Sequence, residues 1–153
     1  MSSRQNCHLV IETEIISPSG HIEKTQLEAE AIWYIQGEDL VVSYQEGSGV
    51  EEVFCELLIP NNQKSIRIRC SGARRLDHLF TVGERTDSLY EISHGYMDFA
   101  SITKAVEIQH KNNCPETIVL QYQLFICQEE VGQFTITHKI FDKILPNVHE
   151  VVH

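Results

Sequence analysis

The stretch Ile118-Val119-Leu120-Gln121-Tyr122-Gln123-Leu124-Phe125-Ile126 alternates strictly: Ile118, Leu120, Tyr122, Leu124 and Ile126 fall on one face, and Val119, Gln121, Gln123 and Phe125 on the other. Side chains of a strand point to opposite faces in turn, whereas a helix needs apolar residues three and four apart. The segment therefore reads as a strand with one face buried. Leu9, Ile11, Thr13 and Ile15 likewise share one face of an earlier strand, as do Val53, Cys55, Leu57 and Ile59 of another, and Ile66, Ile68 and Cys70 of a third. One segment competes. Thr25-Gln26-Leu27-Glu28-Ala29-Glu30-Ala31-Ile32 has high helix propensity. Yet Leu27, Ala29, Ala31, Trp33 and Ile35 keep the period of two, so a strand is expected there as well.

Turn-forming residues separate these segments at short intervals. They fall at Ser17–Gly20, Gln36–Asp39, Glu46–Gly49, Pro60–Gln63, Ser71–Gly72, Val82–Glu84, Ser93–Gly95, His110–Pro115 and Glu129–Gly132. Tight connections between eight to ten strands imply an antiparallel up-and-down meander. A meander that long must deal with its edges, by closing into a barrel or by splitting into two packed sheets. The expectation is an all-β, closed β-barrel of one domain spanning residues 1–153, with the barrel over about 7–141 and a C-terminal tail over 142–153. The 153 residues leave no room for a second core.

The chain carries 22 acidic and 12 basic residues, a formal net charge of -10. Duplex DNA binding draws much of its affinity from neutralised phosphates, so that balance argues against it. No run of about 18 apolar residues is present, and no membrane span is expected. Five cysteines, an odd number with no Cys-x-x-Cys pair, do not resemble a secreted disulfide framework. With no signal-peptide core at the N-terminus, a cytoplasmic location is expected.

Three pieces carry a family resemblance. The first is the hairpin Ala31-Ile-Trp-Tyr-Ile-Gln-Gly-Glu-Asp-Leu-Val-Val-Ser-Tyr44, the second is Arg69-Cys-Ser-Gly72 continued by Leu79-Phe80-Thr81-Val-Gly83, and the third is Tyr90-Glu-Ile-Ser-His-Gly95 followed by Phe99 and Thr103. From about Glu30 to Lys139 the chain resembles the YwiB-like family of small bacterial proteins. The resemblance implies a calycin-like (lipocalin-type) barrel in a cytoplasmic bacterial setting, and no catalytic residues. The family tends to show Arg-x-Gly where two residues separate Arg69 from Gly72, and a threonine where this chain has Ile92.

His149-Glu150-Val151-Val152-His153 has the H-E-x-x-H spacing by which a helix presents two imidazoles to zinc. Two β-branched valines in a segment that short, just after Pro146, do not hold a helix, and no protease is expected. His110 and Cys114 supply only two ligands across one loop, fewer than a structural zinc site needs. No Gly-rich phosphate loop and no nucleophile elbow appear. No catalytic residues, metal ligands or cofactors are therefore expected, and the sequence leans away from an enzyme.

The anomaly is charge placement. Lys64, Arg67, Arg69, Arg74 and Arg75 fall within twelve residues that hold no acid, leaving seven basic residues against all 22 acids elsewhere, a net of -15. Arg67 and Arg69 alternate with Ile66, Ile68 and Cys70. One reading places both arginines on the solvent face, paired with cross-strand acids such as Glu51 or Glu56. The other places them in a barrel lumen, where guanidinium groups would bind carboxylate or phosphate. On that second reading the ligand-binding candidates are Arg67, Arg69, Tyr90, Tyr96 and Tyr122, for a small amphipathic or anionic ligand held in the barrel. The alternative is a protein-interaction module using the Arg-rich strand surface. The sequence leaves homo-oligomerisation open.

Overall fold

The structure, a computed structural model, describes residues 3–142. The H-E-x-x-H segment and the rest of the expected tail beyond Asp142 lie outside the described residues. Ten strands follow one another: β1 (Gln5–Ile16), β2 (Ile22–Gln36), β3 (Asp39–Glu46), β4 (Val53–Ile59), β5 (Ser65–Gly72), β6 (Leu76–Thr81), β7 (Arg85–Ile92), β8 (Gly95–Lys111), β9 (Cys114–Ile126) and β10 (Glu129–Asp142). Among the described residues one 3₁₀ turn, Gly49–Glu51, interrupts them. Every sequential pair from β1 to β6 and from β7 to β10 is an antiparallel ladder. The ladder between β1 and β10, from Cys7–Asp142 to Ile16–Gln133, joins the two ends of the sheet's sequence. The fold is the all-β, up-and-down barrel expected, at the upper end of the expected strand number, and it is nearly closed.

The segment with helix propensity is strand β2, as its alternation indicates. Tertiary pairing overrides its local preference: Leu27 lies opposite Ile11 and Ala31 opposite Cys7. Inward parity gives a continuous apolar core that includes Leu9, Trp33, Val42, Leu57, Ile59, Ile66, Phe80, Ile118, Leu120 and Tyr122. One turn differs from the expectation. The chain reverses between β9 and β10 at Cys127 and Gln128, with φ of 50° and 70°, and Glu129 already begins the next strand. Gly132 serves a bulge in β10, where a Cβ would stand 2.4 Å from the Ile16 carbonyl oxygen.

The barrel closes between β6 and β7 by a different means. Here the backbone makes two isolated bridges, Arg75 with Glu91 and Val82 with Thr103. Between them side chains span the gap. His78, fully buried on β6, lies 2.6 Å from Ser88 Oγ of β7 through Nδ1, and 2.7 Å from Ser101 Oγ of β8 and 3.0 Å from Thr86 Oγ1 of β7 through Nε2. The Ser88 hydroxyl donates its proton to the Asp77 carbonyl at 3.1 Å. It must therefore accept from the imidazole, which assigns the proton to Nδ1 and leaves Nε2 as acceptor. The ring packs edge-on against Phe80 and Phe99, with centroids 4.5 and 4.7 Å away.

Candidate functional site

The ends of β3, β5 and β7 and the starts of β4, β6 and β8 meet at one end of the barrel. A concavity of about 870 Å³ lies against this end. Strand parity divides its lining. Ala31, Tyr44, Cys55, Cys70 and Leu76 share parity with the core, whereas Ile32, Phe54, Glu56, Arg69, Asp77 and Tyr96 belong to the outer face. The groove thus lies along the wall of the barrel, and the apolar core occupies the interior behind it.

The outer lining is amphipathic. Phe54, Leu89 and Tyr96 remain 50%, 56% and 64% exposed, an unusual outlay of large apolar surface, and all three face the same groove. Around them stand Glu30, Glu56, Asp77 and Glu91 with Arg69 and Arg75. Four carboxylates against two guanidinium groups disfavour a ligand that is anionic throughout.

Neither Arg67 nor Arg69 faces the lumen. Both lie on the outer face, about half exposed, so the solvent-face reading holds and the lumen placement is corrected. The physical reason is that β5 turns Ile66, Ile68 and Cys70 toward the core, Ile66 fully buried, and a period of two turns the alternate residues outward. The two arginines are not equivalent. Arg67 is clamped by Asp77 through two hydrogen bonds, Nε at 2.7 Å and Nη2 at 2.9 Å, which pull the Asp77 carboxyl below its ordinary range. Arg69 has only longer ionic contacts, 3.8 Å to Glu56 and 3.7 Å to Asp77. Arg75 stands 4.0 Å from Glu91 and Arg74 3.0 Å from Glu46. Every arginine of the basic segment thus has a carboxylate neighbour, and the local positive charge is offset by the rest of the barrel.

The structure brings Arg69 and Tyr96 together in the groove. Tyr90 turns inward at the same end and packs edge-on with Phe99 at 6.1 Å. Tyr122 is a core residue, stacked on Phe134 at 5.2 Å and tilted against Phe80 at 4.6 Å, and burial pushes its hydroxyl well above the ordinary tyrosine value. It is not brought to the groove, because it shares the inward face of β9 with Leu120 and Leu124. The sequence reading missed Phe54 and Leu89, and named Arg75 only as part of the basic segment. The available signal was parity: Phe54 is a large apolar residue at an outward position, beside Glu56, of a strand whose other face, Val53, Cys55, Leu57 and Ile59, already supplies the core.

The inward-parity side of the groove lining holds a polar cluster. Cys55 of β4 and Cys70 of β5 are direct cross-strand partners, with their Sγ atoms 3.3 Å apart. Glu46 Oε1 lies 4.0 Å from Cys55 Sγ, and Arg74 donates to Glu46 Oε2. The hydrogen bond from Cys70, aided by the Tyr44 hydroxyl and the Arg74 charge, holds the Cys55 thiol below its ordinary value against burial and the Glu46 charge. Cys70 is pushed well up, by that same hydrogen bond first and then by burial. Among the described residues, no group of three or more His, Cys, Asp or Glu side chains is placed to hold a metal ion. Nor is any helix there long and apolar enough to cross a membrane.

Comparison with known proteins adds a family and a fold. A family model described as "Domain of unknown function (DUF1934)" matches residues 10–137. No curated protein matches the chain. Among solved structures, the crystal structure of the ywiB protein from Bacillus subtilis is similar, with a TM-score of 0.71 at 18% identity over 89% of this chain and 92% of that one. At that identity the likeness is one of fold.

Proposed function

The chain belongs to the DUF1934 family of YwiB-like barrels, and from that premise we propose that it is a binding module for a small amphipathic molecule, held in the groove at the β3–β8 end. The observation that carries this reading is the convergence of Phe54, Leu89 and Tyr96 on one concavity with Arg69 and Arg75 at its edge. Ligand sites are mostly apolar, with a few polar groups that fix orientation. An apolar body would lie over the three exposed rings and chains. An acidic or hydrogen-bonding end would meet Arg69, whose ionic contacts at 3.7–3.8 Å leave its N–H groups open to a better acceptor. A cytoplasmic setting is part of the proposal, and the five free thiols accord with it. Duplex DNA and membranes are not among the proposed partners.

Titration with 8-anilinonaphthalene-1-sulfonate, an aromatic body with one anionic end, tests this, alongside native mass spectrometry of the purified protein for retained small molecules. The expected result is saturable one-site binding, weakened about tenfold or more by Arg69→Ala and by Leu89→Ser, each removing roughly 1.4 kcal/mol or more. Unsaturable binding, or equal affinity in both variants, would overturn the groove as the site. The Arg-rich surface as a protein-docking face has less support, because Arg67 and Arg74 are held by short hydrogen bonds to Asp77 and Glu46.

A further inference from the structure

We propose that Cys55 and Cys70 are a redox-active dithiol, converted by a hydroperoxide into a reversible cross-strand disulfide in the wall of the groove. The placement supports it in three ways. The residues are directly opposed on β4 and β5, and opposed residues of an antiparallel pair have Cα atoms about 4.5–5.5 Å apart, inside the range a disulfide spans. Their sulfur atoms already stand 3.3 Å apart, so bond formation needs side-chain rotation rather than movement of the strands. Both also line the groove, Cys70 being only half-buried, which gives a small oxidant a route to them.

The surroundings divide the labour between the two sulfurs. Cys55 carries the nucleophile, because the Cys70 thiol, the Tyr44 hydroxyl and the Arg74 guanidinium all favour its thiolate. Glu46, held by Arg74, is the carboxylate nearest the Cys55 thiol and is placed to take its proton. In the first step the Cys55 thiolate attacks one oxygen of the hydroperoxide. An S–O bond forms, the O–O bond breaks, and the departing oxygen takes up a proton to leave as alcohol, or as water from hydrogen peroxide. In the second, Cys70 gives up its proton and attacks the sulfur of the Cys55 sulfenic acid. An S–S bond forms, the S–O bond breaks, and water leaves. Two thiols are oxidised and one hydroperoxide is reduced. A thiol reductant such as glutathione reverses the change by exchange.

This inference is independent of the groove ligand, since it rests on the inward-facing cysteines and not on Phe54, Leu89, Tyr96 or Arg69. The test is brief exposure of the whole chain to stoichiometric hydrogen peroxide, blocking of remaining thiols with N-ethylmaleimide, and mass spectrometry without reductant. The expected result is loss of two of the five thiols, their recovery with dithiothreitol, and a digest containing a peptide that links Cys55 to Cys70. Oxidation of this pair should be about tenfold faster than that of the exposed Cys127. In Cys70→Ser the sulfenic acid on Cys55 should persist and be captured by dimedone. Five blockable thiols after exposure, or oxidation of Cys127 ahead of the pair, would overturn the proposal. The unmutated protein's linked peptide decides the matter even if the variant fails to fold.

Discussion

Lowering the pH from 7 to 5 should weaken this barrel through two buried histidines before its carboxylates are engaged. His78 sits in the β6–β7 seam and His138 in β10, both effectively without solvent contact. Burial lowers each imidazole from the ordinary 6.5 to about 4; the charges of Asp87 and Asp77 oppose this at His78, and the Ile118 carbonyl opposes it at His138. The unfolded chain therefore takes up two protons near pH 6.5 that the folded protein refuses until about pH 4. Stability is level above roughly pH 7, falls as the pH drops through that window, and has lost its full share below it. Linkage at about 1.4 kcal/mol per unit gives a loss of about 2 kcal/mol for each histidine by pH 5, and about 3 kcal/mol each by pH 4. Urea unfolding, followed by fluorescence of the sole tryptophan, the buried Trp33, would measure it directly. The expected result is a loss of about 4 kcal/mol between pH 7 and 5 in the unmodified chain, and about half that in His138→Leu. A stability unchanged over that interval, or a fall of the same size in His138→Leu, would refute the reasoning.

Two further outcomes follow from particular atoms. The Thr103 hydroxyl is buried without a hydrogen-bond partner, so Thr103→Val, which keeps the shape and removes the orphan, should raise unfolding stability by about 1 kcal/mol in the same urea assay. Gly72 adopts φ +109° where β5 ends, and an added Cβ would stand 2.4 Å from the Glu52 carbonyl oxygen. Gly72→Ala should therefore cost about 2 kcal/mol or more and loosen the Ala73 N–H to Glu52 hydrogen bond, which faster amide exchange at Ala73 would report.

The strands were legible because alternation and burial are the same fact seen twice: a residue two places from Ile66 must share its face. The same rule decides Arg67 and Arg69, since a strand that buries its isoleucines exposes what lies between them. The β9–β10 turn was misplaced because Gly132 signals an unusual backbone without saying whether the chain reverses or bulges there. The groove was hidden for a different reason. Phe54, Leu89 and Tyr96 come from β4, β7 and β8, and their meeting depends on how the β7–β8 end lies against β4–β6, which no local pattern encodes. The Cys55–Cys70 pairing needed the register of one hairpin, and the two cysteines at matching inward positions on either side of Pro60–Gln63 were its visible trace.

The β6–β7 seam divides the cylinder into unequal halves in a way that bears on how the chain could be cut. β1–β6 and β7–β10 are each continuous sheets, joined on one side by the β1–β10 ladder and on the other by two bridges and the His78 knot. The connection that crosses the seam is the short Val82–Glu84 segment, at the weaker of the two joints. A nick there would sever the covalent link while leaving the ladder between β1 and β10 to hold the fragments together. The barrel is thus built like a book, with its spine where the first and last strands meet and its open edge fastened by a histidine clasp.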